Sequence, residues 1–310
     1  MDVLLLTHRA CLAHDPGEDH PESPDRLRAV LKALEREEFT YLIRDEAPRA
    51  TPEQLCRVHP RDYVEAILAA RPEPGETLAL DDDTRISPGS IEAALHTAGA
   101  GVAAVDEVCG PGSVRRAFCA VRPPGHHAEP ARPMGFCLFA NSVVAARHAQ
   151  AVHRLRRVAI VDFDAHHGNG SQACVEQDSS IFYASSHQWP LYPGTGEARE
   201  HGVGNVLNAP LPPGADGTAF RAAWSDILLP AVDAFAPELV VISAGFDAHA
   251  REPNAQLRVR ESDFGWLTAE LCRLADRHCG GRVVSILEGG YDLEALASSA
   301  AAHVRALMQH

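Results

Sequence analysis

The chain has 310 residues, and a hydrophobic content of 45% is enough to build the core of one large α/β domain. Its 42 acidic residues outnumber 28 basic ones, and the formal charge of −14 argues against nucleic-acid binding and against a basic membrane-binding segment. The eight cysteines form no C-x-x-C pair, and neither a membrane span nor a signal peptide is expected, so we predict a cytoplasmic protein with reduced thiols.

The predicted elements alternate between apolar, β-branched strands and helices with a 3.6-residue period. In the first half, the prediction is a strand at 3–7, a turn-rich loop at 11–25, helices at 24–34 and 61–70, an acidic loop at 81–83, a long helix at 90–108, a strand at 117–122 and a helix at 137–155. In the second half, it is a strand from 158, a strand at 180–186, a helix at 219–235, a strand at 238–246, a helix at 261–278, a strand at 282–287 and a helix at 293–308.

Apolar strands without polar alternation, separated by helices, predict a mostly parallel sheet that is buried on both faces. The fold class is therefore α/β, a single three-layer domain with helices on both faces of a central sheet. No linker is long enough to separate a second domain, so one domain is expected over 1–310.

The most unusual stretch is 158–171, VAIVDFDAHHGNGS, where a buried strand changes into acids, imidazoles and glycines. Asp164 and His166 are two residues apart, so both side chains leave the strand end on the same side. A carboxylate and an imidazole suit Zn²⁺ or Fe²⁺. Charged groups at the rim of a core must be paired or must coordinate a metal, so a buried ion pair is the alternative, and we favour the metal. This stretch predicts half of a metal site.

Three other strands also end in polar or glycine-rich clusters: RPPGHHAEP after Val121, SAGFDAH from Ser243 and LEGGYD from Leu287. Ligands of open α/β sheets bind outside the carboxyl ends of the strands, so these clusters are expected to converge. Asp247 is then the candidate third metal ligand, although such an Asp is more often a turn residue or helix cap. An Asp-His-Asp set leaves coordination positions for water and a substrate carbonyl, as catalytic sites require.

His126 and His127 follow two prolines and a glycine, which hold the backbone of this loop in place. Imidazoles held near a metal can transfer protons, with Asp162 and Asn169 available to set their tautomers. Tyr291 is either a core residue or a donor to a developing oxyanion. Two further aromatic residues either pack in the core or face each other across a narrow tunnel, Phe136 and Tyr192.

Six ordered motifs, RPPGHHA, GFCLFAN, VDFDAHHGNG, PGTG, SAGFDAH and LEGGYDL, together resemble the zinc-dependent histone deacetylase family, including its bacterial acetylpolyamine and histone-deacetylase-like amidohydrolases. PESPDRL resembles the start of the family's N-terminal helix, so the resemblance spans nearly the entire chain. GNG and LEGGY are closer to the class II branch. The resemblance implies an arginase/deacetylase-like fold and a metal-dependent hydrolysis of acetylated amines.

The resemblance also implies roles for individual residues. It makes Asp164, His166 and Asp247 the zinc ligands and His126, His127 and Tyr291 the catalytic residues. Asp162 matches the partner of His126, and Asn169 stands where class I members have an Asp behind the second histidine. The remaining implied sites are a substrate tunnel (Gly135, Phe136, Tyr192, Gly289, Gly290), a rim (Asp82, Asp83, Asn254), a structural K⁺ site (Ser185 and Ser186, with carbonyls of Asp162, Asp164 and His166) and an arginine of an internal acetate channel (Arg26).

The substrate is either an acetyl-lysine in a protein or peptide, which we favour, or a small N-acetylated polyamine. Polyamine-selective members carry a glutamate where this chain has the neutral Asn254, although Glu252 or the acids at 81–83 are possible sources of the charge. Intact His126, His127 and Tyr291 argue against a non-catalytic acyl-lysine-binding module. Arginase-like ureohydrolases use two metals, and Gly168 and Asn169 stand where acids for a second one belong. Hydroxamate inhibitors are expected to bind, and a homo-oligomer is compatible with the sequence.

Overall fold

Eight parallel strands form the central sheet in the computed structural model, which describes residues 2–309. The predicted domain limits, 1 and 310, fall on residues outside that range. The sheet contains β1 (Val3–Thr7), β2 (Ile43–Glu46), β5 (Arg116–Cys119), β6 (Val158–Asp162), β7 (Ile181–Gln188), β8 (Val206–Leu211), β9 (Leu239–Ala244) and β10 (Val283–Leu287), in the order β2-β1-β5-β10-β9-β6-β7-β8. A short antiparallel pair, β3 (Leu78–Ala79) and β4 (Arg85–Ile86), lies outside it.

Helices cover the sheet in two groups. They are α1 (Pro24–Ala33), α2 (Pro52–Leu55), α3 (Arg61–Ala69), α4 (Ser90–Cys109), α5 (Asn141–His153), α6 (Asn169–Val175), α7 (Gly217–Ala222), α8 (Leu229–Phe235), α9 (Glu261–Cys279) and α10 (Leu293–Gln309). Helices α4, α5 and α6 pack together in one group, and α1, α7, α8, α9 and α10 pack together in the other. The predicted three-layer α/β fold is confirmed, and every strand pair of the main sheet is parallel.

The central strands β5, β6, β9 and β10 are fully buried, as expected for apolar runs without alternation. The two edge strands, β2 and β8, are absent from the sequence prediction. All four residues of β2 are exposed, and β8 contains Asn208 and Pro210. Edge strands tolerate charged residues and proline because one side needs no ladder hydrogen bonds. Neither strand therefore has the sequence pattern of a buried one.

Two predicted helices have different bounds in the structure. The helix predicted at 219–235 is divided into α7, a π-helical turn (Ala223–Leu228) and α8. Pro230 lies at the start of α8 and has no backbone N–H, which interrupts a continuous α-helix. The helix predicted at 137–155 begins only at Asn141, because Phe136 has a positive φ of 69° and the chain turns before the helix starts.

The sheet order places β5, β10, β9 and β6 next to one another. The four polar clusters that follow these strands therefore meet at one edge of the sheet, as the sequence predicts. None of the helices within residues 2–309 combines the length and the apolar character needed to cross a membrane.

Candidate active site

Asp164, His166 and Asp247 form a compact ligand set, with one potential ligand atom each and all three atoms within 4.8 Å of one another. His166 Nδ1 lies 3.2 Å from Asp164 Oδ1 and 2.9 Å from Asp247 Oδ2. Both carboxyl groups are buried, and burial together with the Asp164 charge raises the pKa of Asp247 to about 6. The two buried carboxylates repel each other, and a divalent cation bound between them would neutralise their charge. Two carboxylates and one imidazole are also ligands that Zn²⁺ accepts, so the donor set fits a zinc-type ion.

Backbone N–H groups hold the two carboxylates in place. Asp164 Oδ2 accepts from Gly289 N at 2.9 Å, and Asp247 Oδ1 accepts from Ala165 N at 2.7 Å. A Cβ atom at Gly289 would lie 2.4 Å from Asp247 Oδ2 and 2.6 Å from Asp164 Oδ2. Only glycine therefore fits beneath the ligands at this position.

A second cluster of possible ligands, Asp106, His148 and His153, lies between α4 and α5. Asp106 Oδ1 is 2.7 Å from Nε2 of each histidine. Arg57 can only donate, so its contact at 2.6 Å makes His148 Nδ1 an acceptor and leaves the proton on Nε2. That proton is shared with Asp106, which means that His148 Nε2 has no free lone pair for a metal. The Asp164 set is the better metal site.

His126 and His127 lie side by side, with ring centroids 4.0 Å apart. His126 Nδ1 is 3.1 Å from Asp162 Oδ2, which also accepts from the Tyr183 hydroxyl at 3.1 Å. Burial alone would lower the pKa of His126, but the Asp164 and Asp162 carboxylates outweigh it and raise that pKa well above its usual value. The two carboxylates thus favour the protonated form of His126.

A chain of hydrogen bonds determines the tautomer of His127. Glu129 Oε1 can only accept, so it takes the amide N–H of Asn169 at 2.8 Å and turns Asn169 Oδ1 toward His127. His127 Nδ1 lies 2.8 Å from that oxygen and must donate to it. Nε2 is therefore the unprotonated nitrogen. Burial and the neighbouring His126 and His166 lower the pKa of His127 well below its usual value, which suits a base.

Tyr291 is positioned through its backbone and its ring. Its N–H donates to Glu252 Oε2 at 2.9 Å, and the Arg26 guanidinium lies 4.8 Å from its ring centroid. Arg26 also donates to the carbonyl of Gly290 at 2.6 Å. Burial raises the pKa of Tyr291 well above its usual value, so the hydroxyl keeps its proton. The phenol is thus available as a hydrogen-bond donor.

A cavity of about 270 Å³ leads to these side chains, and its lining consists of Pro21, Asp83, His127, Gly135, Phe136, His166, Leu191, Tyr192, Asn254 and Tyr291. Of the predicted tunnel residues, Gly135, Phe136 and Tyr192 line it. Gly289 and Gly290 do not, since Gly289 lies beneath the ligands and Gly290 bonds Arg26 through its carbonyl. The volume is at the small end for ligand sites, which suits a thin acyl chain.

The loop that forms one wall of the cavity is held in an unusual conformation. Phe136 is not a glycine yet has a φ of 69°, a conformation that costs about 1–3 kcal/mol. Asp83 Oδ1 accepts from Gly135 N at 3.2 Å, and Thr84 Oγ1 accepts from Phe136 N at 3.1 Å. A Cβ atom at Gly135 would lie 2.4 Å from His127 Cδ2. The loop therefore packs directly against the predicted base.

The predicted rim residues occupy different places. Asp83 and Asn254 line the cavity, whereas Asp82 is exposed in a neighbouring depression. Glu252 is not available to charge the entrance, because it is 8% exposed and accepts from the backbone N–H groups of Tyr291 and Asn254. Glu252 is therefore not among the residues that line the entrance, although it lies directly behind two of them.

Of the residues of the predicted K⁺ site, Asp162, Asp164, Ser185 and Ser186 are buried, and His166 is partly exposed. Asp162 and Ser185 are direct partners across β6 and β7. The hydroxyl of Ser185 lies 2.9 Å from His187 Nδ1, and that of Ser186 accepts from Trp224 Nε1 at 2.9 Å. Both side chains thus have protein partners, and the K⁺ site remains a prediction.

Two buried groups near the site are missing from the sequence prediction. Glu288 accepts from the backbone N–H groups of Gly125 and His126. Glu22 pairs with Arg122 and Arg26, and the Arg122 charge holds the pKa of this fully buried carboxyl well below its usual value. Glu288 directly follows a buried strand, as Asp162 ends one, and this position is the signal that was available in the sequence.

Comparisons with known proteins show which family the chain resembles along almost its whole length. The family described as "Histone deacetylase domain" matches residues 20–307. Histone deacetylase 14, chloroplastic, of Arabidopsis thaliana is 40% identical over 98% of this chain and 76% of its own length. Polyamine deacetylase HDAC10 of Homo sapiens is 38% identical over 96% of this chain and 46% of its own length. The crystal structure of the HDA15 HD domain superposes with a TM-score of 0.92 at 34% identity, covering 99% of this chain and 88% of the other.

Proposed function

The chain belongs to the histone deacetylase family, whose members hydrolyse acetylated amines, and we propose that its substrate is an acetyl-lysine side chain of a protein or peptide. The observation that carries this choice is the neutral residue Asn254 at the entrance of the cavity. Asn254 lines it with a neutral amide, and Glu252 is turned inward to backbone N–H groups. An aliphatic lysine chain needs a narrow apolar passage and no charge beside it.

Zn²⁺ is the ion we propose for Asp164, His166 and Asp247, with Fe²⁺ as an alternative in cells. When bound, it lowers the pKa of a water molecule and polarises the acetyl carbonyl. His127 takes the proton of that water at Nε2, because Asn169 fixes the N–H on Nδ1. The positive charge of His126 beside it makes His127 a weak base, so that the same proton passes readily to the leaving amine.

Tyr291 supplies the hydrogen bond to the oxygen that becomes negative as the amide is attacked. Tyr291 and His127 both line the cavity, while Glu252 and Arg26 hold the backbone and the ring of Tyr291. Because these contacts exist before the substrate arrives, the donor needs no reorganisation during the reaction. Loss of acetate and release of the free amine complete the turnover.

Several further features belong to the same proposal. A K⁺ ion bound by Ser185, Ser186 and the backbone carbonyls of Asp162, Asp164 and His166 would stabilise the loop that carries two ligands. Hydroxamates should bind by the same route as the substrate. All eight cysteines are unpaired, which fits a reducing compartment, and we place the protein in the cytoplasm. The catalytic domain would span 1–310.

An N-acetylpolyamine is the second candidate, and the acids at the entrance are what favours it. Asp82 is exposed, and Asp83 lines the cavity. Asp83 is partly committed, since one of its oxygens accepts from Gly135 N. It offers a distant ammonium less attraction than a free carboxylate would.

The experiment compares kcat/KM of the metal-loaded protein on acetyl-lysine peptides and on N-acetylputrescine, N-acetylcadaverine and N-acetylspermidine. The Asn254→Glu variant is measured beside it, with Asn254→Gln as the uncharged control. The proposal predicts that the unaltered protein prefers peptides and that only Asn254→Glu raises kcat/KM on the polyamines. A preference of the unaltered protein for polyamines would contradict the proposed substrate, and absence of turnover on both classes would contradict the proposed reaction.

A further inference from the structure

Glu288 is the strongest feature that the mechanism leaves without a role. It follows β10, is 1% exposed and lies three residues before Tyr291. Its Oε2 accepts from Gly125 N at 2.6 Å and from His126 N at 3.1 Å. Its Oε1 has no hydrogen-bond partner among the residues that the structure describes.

Each side of this contact is fixed by other bonds. Around Glu288, its own carbonyl and that of Gly290 accept from Arg26, and the N–H of Gly289 donates to Asp164. On the histidine side, the carbonyl of His126 accepts from Ser171 N at 3.0 Å. The Glu288 side chain is therefore a direct link between the segment that carries Tyr291 and the loop that carries the two histidines.

We propose that Glu288 is a positioning residue, which holds the backbone of the histidine pair at a fixed place relative to Tyr291 and the metal ligands. β5 and β10 are neighbours in the sheet, so the loops that follow them lie side by side and one glutamate can span the gap. The role rests on the proposed functions of His126, His127 and Tyr291, because it gives those groups their mutual geometry.

Stability alone does not account for a glutamate at this place. A buried carboxyl with one unpaired oxygen is unfavourable, and a backbone N–H can find an acceptor that is easier to bury. Burial raises the pKa of Glu288 to about 7, which agrees with a carboxyl held there at some expense. Catalytic groups, by contrast, lose rate steeply when they are displaced by a fraction of an ångström.

Glu238 provides a matched control. It also accepts from two consecutive backbone N–H groups, those of Arg156 and Arg157, but it precedes β9 and so lies at the opposite end of the sheet from the site. Removing its side chain should lower the melting temperature without changing turnover.

The test compares Glu288→Ala, Glu288→Gln and Glu238→Ala in kcat, KM, hydroxamate affinity and metal content. The proposal predicts that Glu288→Ala lowers kcat roughly 10- to 100-fold with one metal retained and KM little changed. Glu288→Gln keeps an acceptor oxygen and should rescue most of the rate. Wild-type kcat in Glu288→Ala, or equal losses in the Ala and Gln variants, would overturn it.

A crystal structure of Glu288→Ala gives a readout that does not depend on activity. The backbone at 125–127 should move by about 0.5 Å or more relative to Tyr291. If the loop does not move, Glu288 has no positioning role, whatever the activity of the protein. If the unaltered protein is inactive on acetylated amines, the proposed function is refuted, and the structural test of Glu288 still stands.

Discussion

Replacing Tyr291 by phenylalanine removes a single hydroxyl from the cavity and leaves the surrounding contacts in place. The ring keeps its contacts with Phe136, at a centroid distance of 5.9 Å, and with the Arg26 guanidinium. The backbone keeps its bond to Glu252. Loss of one oxyanion donor costs about 3–4 kcal/mol in other hydrolases, so kcat should fall about 100- to 1,000-fold.

The assay is steady-state turnover of an acetyl-lysine peptide, with bound metal and melting temperature measured on the same preparation. Tyr192→Phe is the matched control, because Tyr192 lines the same cavity and its ring packs on His127 at 5.2 Å. Metal content and melting temperature should be unchanged in both variants, and only Tyr291→Phe should lose rate. Near-native turnover in Tyr291→Phe, or an equal loss in Tyr192→Phe, would refute the reasoning.

Three further predictions follow from particular contacts. Asn169→Leu removes the acceptor that fixes the His127 tautomer and should lower kcat roughly 10- to 100-fold with metal retained, whereas Asn169→Asp should stay active; equal turnover in both variants would contradict the tautomer assignment. Gly135→Ala should lower kcat at least about 10-fold, because its Cβ would lie 2.4 Å from His127 Cδ2 at a φ of 56°, and unchanged kinetics would show that the wall does not hold His127. Burial lowers the pKa of His59 to about 4, so protonation favours the unfolded chain, and about 2 kcal/mol of stability should be lost between pH 7 and pH 5. The free energy of unfolding, measured with denaturant at both pH values, should fall less in His59→Gln than in the unaltered protein. The same fall in both proteins would contradict the assignment of this pH dependence to His59.

The sequence predicts the buried part of the fold well because buried strands have a distinctive composition. The runs that became β5, β6, β9 and β10 are mainly apolar, as expected for strands that are covered on both faces, and the charged residues Arg116 and Asp162 stand at strand ends. Strand β2, with the sequence IRDE, has no such requirement because it is exposed at an edge. β2 forms a strand because it pairs with β1, and the sequence of β2 alone gives no sign of this pairing.

The functional side chains also divide into those that the sequence reveals and those that it does not. Asp164, His166 and Asp247 stand out because charged residues directly after apolar strands need a partner. Glu129 does not stand out, since a single glutamate in a loop normally faces water. Glu288 does follow an apolar strand, but its partners are backbone N–H groups of a distant loop. Their roles depend on which backbone N–H or amide group the fold brings beside them. The inward orientation of Glu252 is hidden for the same reason, and the sequence alone leaves it as one of two possible sources of charge at the entrance.

The bounds of two helices could not be predicted from the local sequence pattern either. The helical periodicity at 137–155 begins four residues before the helix itself. His59 holds the chain in this region, because its Nδ1 lies 2.9 Å from the Pro130 carbonyl and its Nε2 accepts from Ala140 N at 3.0 Å. Such tertiary contacts override a helical pattern at its start. The π-helical turn before Pro230 is likewise a response to a missing N–H within a longer helical run.

The central claim is that a single divalent cation is held by Asp164, His166 and Asp247. The most direct test is elemental analysis of the purified protein together with removal and return of the metal. The account predicts one equivalent of zinc or iron, its loss in His166→Ala, its retention in the control variant His148→Ala, and activity that a chelator abolishes and one equivalent of Zn²⁺ restores. A full equivalent of metal in His166→Ala, or full activity after the metal is removed, would contradict the account.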